Sequence, residues 1–165
     1  MLFDGTDLPQ WGRIAVSGEN LRYSEFLSFR LGRLVTLIQR EVAVSYLGLT
    51  GLSQPEWRVM ARLAQHSEFE MRNLTRVSFM DKAAISRTVD RLIDKGLAER
   101  VINPAHARRR IVAATPAGRQ LMAQALPVAH REQAALLREL SANERVQLGH
   151  LLHKLTNALM ARAPA

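Results

Sequence analysis

The sequence predicts a mainly α-helical protein with one small β-hairpin, and three observations carry that expectation. Apolar residues recur at three- and four-residue steps over most of the chain. Serine, threonine and aspartate caps precede several of these stretches. A single pair of short extended segments stands between Gly96 and Thr115. The chain has 165 residues, 47% hydrophobic and 23% charged, the balance of one globular domain able to bury a core. No run of about 18 uncharged apolar residues occurs and no cationic leader precedes an apolar run, so a soluble, cytoplasmic protein without membrane contact is expected. The absence of cysteine excludes disulfides, thiolate nucleophiles, iron–sulfur clusters and cysteine-ligated zinc.

Residues 1–21 mix glycine, proline and scattered polar groups without sustained periodicity and read as an N-terminal arm. Trp11 in that arm can anchor it on the domain or on a partner subunit. A single domain is expected over 22–160, followed by a tail over 161–165. From Arg22 to Leu47 the apolar positions Phe26, Leu27, Leu31, Leu34, Val35, Ile38, Val42 and Tyr46 mark a long amphipathic helix. The segment from Gly48 to Leu52 breaks it. Ser53 and Glu56 then form a capping box that opens a second helix with Trp57, Val59, Met60, Leu63 and Ala64 on its apolar stripe.

A connector over His66–Glu70 leads to a brief third helix marked by Leu74 and Val77. Asp81 caps a fourth that runs to Lys95 and ends at Gly96. Ile85, Val89, Leu92 and Ile93 fall on one stripe of this fourth helix, which is expected to be buried. Ala83, Arg87, Asp90, Arg91 and Asp94 lie opposite, with Ser86 and Thr88 on the flanks. Leu97–Ile102 and Arg109–Ala114 form the hairpin, with a turn-prone segment between them. Thr115 and Pro116 open a helix toward Leu140, in which Pro127 is expected to introduce a kink. Ser141 and Glu144 cap a last amphipathic helix that extends to about Met160.

Charge supplies the functional clue. The chain carries 23 Lys and Arg against 15 Asp and Glu, a net charge of +8, which favours a polyanionic partner. Most of the excess lies between residues 71 and 110, in the same block as the closely spaced third and fourth helices and the hairpin. Helix, short turn, helix and hairpin, with a small and cationic outer face on the second helix, is the layout of a winged helix-turn-helix. A major groove about 12 Å wide admits one helix. Ala83 and Ser86 permit close approach there, with Lys82 and Thr88 alongside, and Arg87 can offer paired donors to guanine. Arg76 and Arg91 suit phosphates. Arg108, Arg109 and Arg110 at the hairpin tip can reach a neighbouring minor groove; a solvated charge run is the alternative.

From Leu52 to Leu121 the residues resemble the MarR (multiple antibiotic resistance regulator) family of dimeric transcription regulators. The resemblance is carried by Ser53-Gln54-Pro55-Glu56-Trp57-Arg58, by Asp81-Lys82 with Ser86-Arg87-Thr88-Val89-Asp90-Arg91-Leu92, by Lys95-Gly96-Leu97 with Arg100, by Asn103-Pro104 and by Thr115-Pro116-Ala117-Gly118-Arg119. The flanking helices fit too, so it covers all but about the first 20 residues. It implies that Arg108 is the minor-groove residue, with Arg109 adjacent and able to take the role. It also implies an Asp shortly before the tip arginine, where this chain has His106 and Ala107.

Dimerisation follows from the resemblance and from the apolar stripes of the long first helix and last two helices, which exceed what a small winged core can cover. The expected division is a helical dimerisation region over 22–48 and 116–160 around a DNA-binding core over 53–115. A two-fold dimer places two recognition helices roughly 34–36 Å apart, so the expected partner is double-stranded DNA with a pseudo-palindromic operator. The resemblance further implies release by a small aromatic acid or phenolic effector, bound between the helical region and the winged core, and repression as the usual mode. Arg30, Arg33, Trp57, Arg58 and His66 are the candidates for such a crevice, with cations suited to a carboxylate.

His150 and His153 share a helix face without a carboxylate at ligand spacing, so no metal or other cofactor is expected. No nucleophile–base order or phosphate-cradling glycine loop stands out, and an enzyme is not expected. Two other functions fit the same layout: a winged-helix module that holds an acidic protein, and an architectural binder without sequence preference. Binding of the promoter region beside its own gene separates the first from a regulator. A preference for one inverted repeat separates the second.

Overall fold

The computed structural model describes residues 9, 11–66, 68–78, 80–101 and 111–162. The chain divides into two compact units, Met1–Val44 and Ser45–Ala165.

In the first unit, short 3-10 turns at Trp11–Arg13 and Tyr23–Glu25 precede helix α1, Leu27–Leu37. Trp11 anchors the arm within this unit, its indole Nε1 donating to Glu25 O at 2.7 Å. Glu25 is buried, and its Oε2 accepts from Arg22 N at 3.0 Å and Arg22 Nε at 3.3 Å. Such pairing is what a buried carboxylate requires. The predicted long helix is interrupted by a π-helical turn over Ile38–Val42, after which α2 runs over Ala43–Thr50. This turn contains neither glycine nor proline, so sequence offered no breaker to announce it. The helix also outlasts its predicted end. Gly48 stays helical, and the chain turns at Gly51, whose φ of +63° is the left-handed conformation that glycine adopts without a Cβ penalty. Gly51 N donates to Leu47 O at 2.9 Å.

The second unit begins within α2, at Ser45, and contains α3 (Gln54–Gln65), β1 (Phe69–Glu70), α4 (Met71–Ser78), α5 (Lys82–Asp94), β2 (Ala98–Val101), β3 (Ile111–Ala114), α6 (Pro116–Arg138) and α7 (Ala142–Met160). The expected hairpin is part of a three-stranded antiparallel sheet ordered β1-β3-β2. Ala98 pairs with Ala114, Val101 with Ile111, and Phe69 with Val112. The extra strand, β1, lies in the segment read as a connector. Two residues are too few for an alternation signal to emerge. All four residues of β3, the central strand, are buried, which explains its unbroken apolar sequence.

Met60, Leu63, Leu74, Ile85, Leu92 and Met122 form the centre of the core, drawn from α3, α4, α5 and α6. Helix α6 continues through Pro127 and buries Gly118, Met122, Ala125 and Ala129 at helical spacing. Its first turn is seated tightly. Thr115 Oγ1 accepts from Gly118 N at 3.0 Å and donates to Gly96 O at 2.7 Å. A Cβ on Gly118 would strike the Leu97 carbonyl oxygen and approach Met60 Cε to 2.8 Å. Helix α7 begins at a capping box, Glu144 Oε2 accepting from Ser141 N at 2.7 Å, yet buries no residue. Among the described residues no helix is long and apolar enough to cross a membrane.

Candidate nucleic-acid interface

Helices α4 and α5 are separated by three residues, and Asp81 starts the second by accepting from Ala84 N at 2.7 Å. Gly96, with φ +69°, follows its C-terminal end. Ile85, Val89 and Leu92 are fully buried, which turns Lys82, Ala83 and Arg87 outward. Ser86 is half-buried beside them. Arg76, in the last turn of α4, is also exposed. Among the described residues Arg76, Lys82 and Arg87 enter no ion pair, so their charge is available to an external anion.

Thr88 requires a correction. Expected on the flank of the outer face, it is 1% exposed and its hydroxyl donates to Ala84 O at 2.8 Å. Position 88 lies three residues after Ile85 and four before Leu92, within the buried stripe. Arg91 faces out but already has partners: its Nη2 donates to Thr88 Oγ1 at 3.3 Å and its Nε lies 3.5 Å from Glu56 Oε1. Arg100 of β2 pairs with Asp90 of α5. The hairpin-tip candidates Arg108, Arg109 and Arg110 lie outside the described residues.

Glu56, which the sequence presents only as part of a capping box, gathers partners from the C-terminal end of α5 and from Ser53. It is 2% exposed. Its Oε2 accepts from Ser53 N at 2.7 Å, Ser53 Oγ at 2.9 Å and Lys95 Nζ at 2.9 Å. Burial opposes its ionisation, but the Ser53 amide, Lys95 and the Ser53 hydroxyl outweigh that cost and hold the carboxyl below its usual value. Lys95 Nζ also donates to Gly51 O at 3.3 Å.

A second feature is a cleft of about 590 Å³ lined by Trp57, Arg58, Ala61, Arg62 and Gln65 of α3 and by Val77 and Ser78 of α4. It brings together two of the predicted effector residues, Trp57 and Arg58. His66 is exposed, meeting the Phe69 ring edge-on at 4.9 Å, and does not line the cleft. Arg30 and Arg33 belong to α1 of the other unit, where Arg30 Nε donates to Ser24 O at 3.1 Å. Arg62 and Gln65 were legible as the positions four and seven after Arg58, on the same helix face. Ser78 had no signal. Its buried hydroxyl has no hydrogen-bond partner among the described residues. Behind the cleft, Trp57 packs on Tyr46 with ring centroids 4.4 Å apart. Burial raises the Tyr46 phenol's pKa, opposed by a hydrogen bond from Gln133 and the charge of Arg58.

Comparison with known proteins agrees with this architecture. Residues 48–109 match the model of the MarR family. The chain is 29% identical to the transcriptional regulator HosA of Escherichia coli O111:H-, over 76% of this chain and 93% of HosA. A MarR/EmrR family transcriptional regulator from Acinetobacter sp. ADP1 superposes with a TM-score of 0.78 at 26% identity, covering 86% of this chain and 99% of that one. BpsR of Bordetella bronchiseptica, whose DNA binding is regulated by 6-hydroxynicotinic acid, superposes with a TM-score of 0.69 at 25% identity, covering 82% of this chain and 96% of BpsR. With its helix pair, three-stranded sheet and flanking helices, the chain belongs to the MarR family of transcriptional regulators.

Proposed function

We propose that the protein is a ligand-responsive repressor that binds a pseudo-palindromic operator as a homodimer. One observation carries this reading: α5 turns Lys82, Ala83 and Arg87 to solvent without ion pairs among the described residues, while its opposite stripe is fully buried. A helix so oriented presents a forked donor to base edges, with small neighbours that permit close approach. Arg87 reads guanine, Ser86 and Ala83 line the approach, and Arg76 and Lys82 meet phosphates. Arg108, Arg109 and Arg110 are assigned to the minor groove on sequence grounds alone.

The homodimer is supported by the exposed apolar side chains of α7, Val146, Leu148, Leu151, Leu152, Leu155 and Leu159. Residues 22–48 and 116–160 are assigned to that interface, with 53–115 as the reading core. The cleft beside Trp57 suits a small aromatic carboxylate: Trp57 brings an indole and Arg58 and Arg62 bring two guanidinium groups to its lining. Regulation of BpsR by 6-hydroxynicotinic acid supports that ligand class.

The test is fluorescence anisotropy with an inverted repeat from the promoter region beside its own gene and with a random duplex, over a range of salt. Arg87→Ala is expected to cost about 1–3 kcal/mol on the repeat and little on random DNA. Equal losses on both would refute base reading by Arg87. Aromatic acids that raise the melting temperature and release the operator identify the effector class.

A further inference from the structure

The cations around α5 fall into two sets. Arg76, Lys82 and Arg87 have no ion pair among the described residues. Arg91 and Lys95, one turn apart on the same helix, are drawn to a single buried carboxylate on α3. Their side chains remain 50% and 41% exposed, so both could swing to an approaching phosphate if released. Glu56 is held in place from its own side by the Ser53 amide and hydroxyl, which leaves the two cations to converge on it. Lys95 is the C-cap of α5 and also bonds Gly51 O, at the entrance to α3. The far end of α5 is thereby tied to the beginning of α3.

We propose that Glu56 is a positioning residue for duplex recognition. It fixes the rotation of α5 through Arg91 and Lys95 and withholds these two charges from the phosphate backbone, so that selectivity falls to Arg87. The inference rests on the duplex-binding reading above and adds a division of labour to it: unpaired cations bind, tied cations aim. Withholding charge has a direct benefit for a regulator. Phosphate contacts strengthen binding to every sequence alike, whereas a fixed helix rotation strengthens binding only where the bases match.

Glu56→Gln tests this, because glutamine still fills the capping-box position but cannot hold two cations by charge. On a random duplex, the slope of log K against log salt is expected to steepen by about 0.9 for each cation released to phosphate. The ratio of operator to random affinity is expected to fall severalfold. Adding Arg91→Ala and Lys95→Ala to Glu56→Gln should abolish the steepening, a response that simple loss of stability would not give. In the otherwise unaltered protein, Arg91→Ala alone should leave the salt slope unchanged while lowering the operator-to-random ratio.

An unchanged slope in Glu56→Gln, or a slope reduced by about 0.9 in Arg91→Ala, overturns the proposal while leaving duplex binding intact. If Glu56→Gln does not fold, the Arg91→Ala slope decides alone. If the unaltered protein binds neither duplex at low salt, the duplex-binding reading and this inference fall together.

Discussion

Helices α5 and α7 carry the same kind of apolar repeat and the same kind of N-terminal cap, yet one hides its stripe and the other exposes it. Ile85, Val89 and Leu92 of α5 are completely buried, whereas α7 buries no residue along its whole length. The pattern alone states that a helix face will be covered, not what will cover it. For α5 the cover is α3, α4 and β2 of its own chain. For α7 the proposed cover is a second copy, and burial there then depends on protein concentration rather than folding alone.

The largest effect expected is at the buried stripe. Leu92→Ala should lose about 2–5 kcal/mol of stability in urea unfolding at any protein concentration. The same truncation at Leu151 should cost well under 1 kcal/mol in dilute solution, where only exposed surface is lost, and more as concentration rises. Equal costs at both positions in dilute protein would erase the distinction between the helices. Replacing both Leu151 and Leu155 with lysine should make the melting temperature independent of concentration, against a rising value for the unaltered protein.

Gly118→Ala should cost about 1–3 kcal/mol, because its Cβ meets backbone as well as a methionine tip. The caps sharpen the comparison further. Asp81→Ala at α5 and Ser141→Ala at α7 each remove a side chain that accepts from a backbone amide, and each is expected to cost about 1 kcal/mol. Similar values would show that the helices differ in cover and not in initiation.

The smallest effect concerns acid. The Ser141 hydroxyl and amide hold the Glu144 carboxyl below its ordinary range in the folded protein. Its contribution is therefore fully present above the ordinary glutamate range and is lost as pH falls through the depressed value. Glu144→Gln should slightly flatten the fall in melting temperature between neutral and acid pH, and a steeper fall would reverse the sign. Glu56 follows the same direction, since hydrogen bonds and Lys95 overcome its burial.

The starts of α3, α5 and α6 and the end of α5 were legible because their causes are local. Asp81 and Gly96 bracket α5, Ser53 with Glu56 opens α3, and Thr115-Pro116 opens α6, all within a few residues of the features they determine. The features that escaped depend on partners distant in sequence. Strand β1 exists because Phe69 meets Val112. Glu56 reads as a cap until Lys95, 39 positions later, closes on the same Oε2 that Ser53 engages. Of the candidate interface, periodicity alone places Ala83 and Arg87 outward. Thr88 was misplaced because a hydroxyl that can satisfy itself on its own helix is tolerated in a core. In the cleft, Trp57 and Arg58 were found as residue types, while Ser78 became visible only through burial.

The seating of Gly118 has one more consequence. With bare backbone against the Leu97 carbonyl and Thr115 clasping Gly96, α6 meets the junction of α5 and β2 as a crowbar meets its fulcrum. There is no cushion of side chain to absorb a tilt, so any change in the angle of the 23-residue α6 would press directly on the backbone where α5 ends and β2 begins.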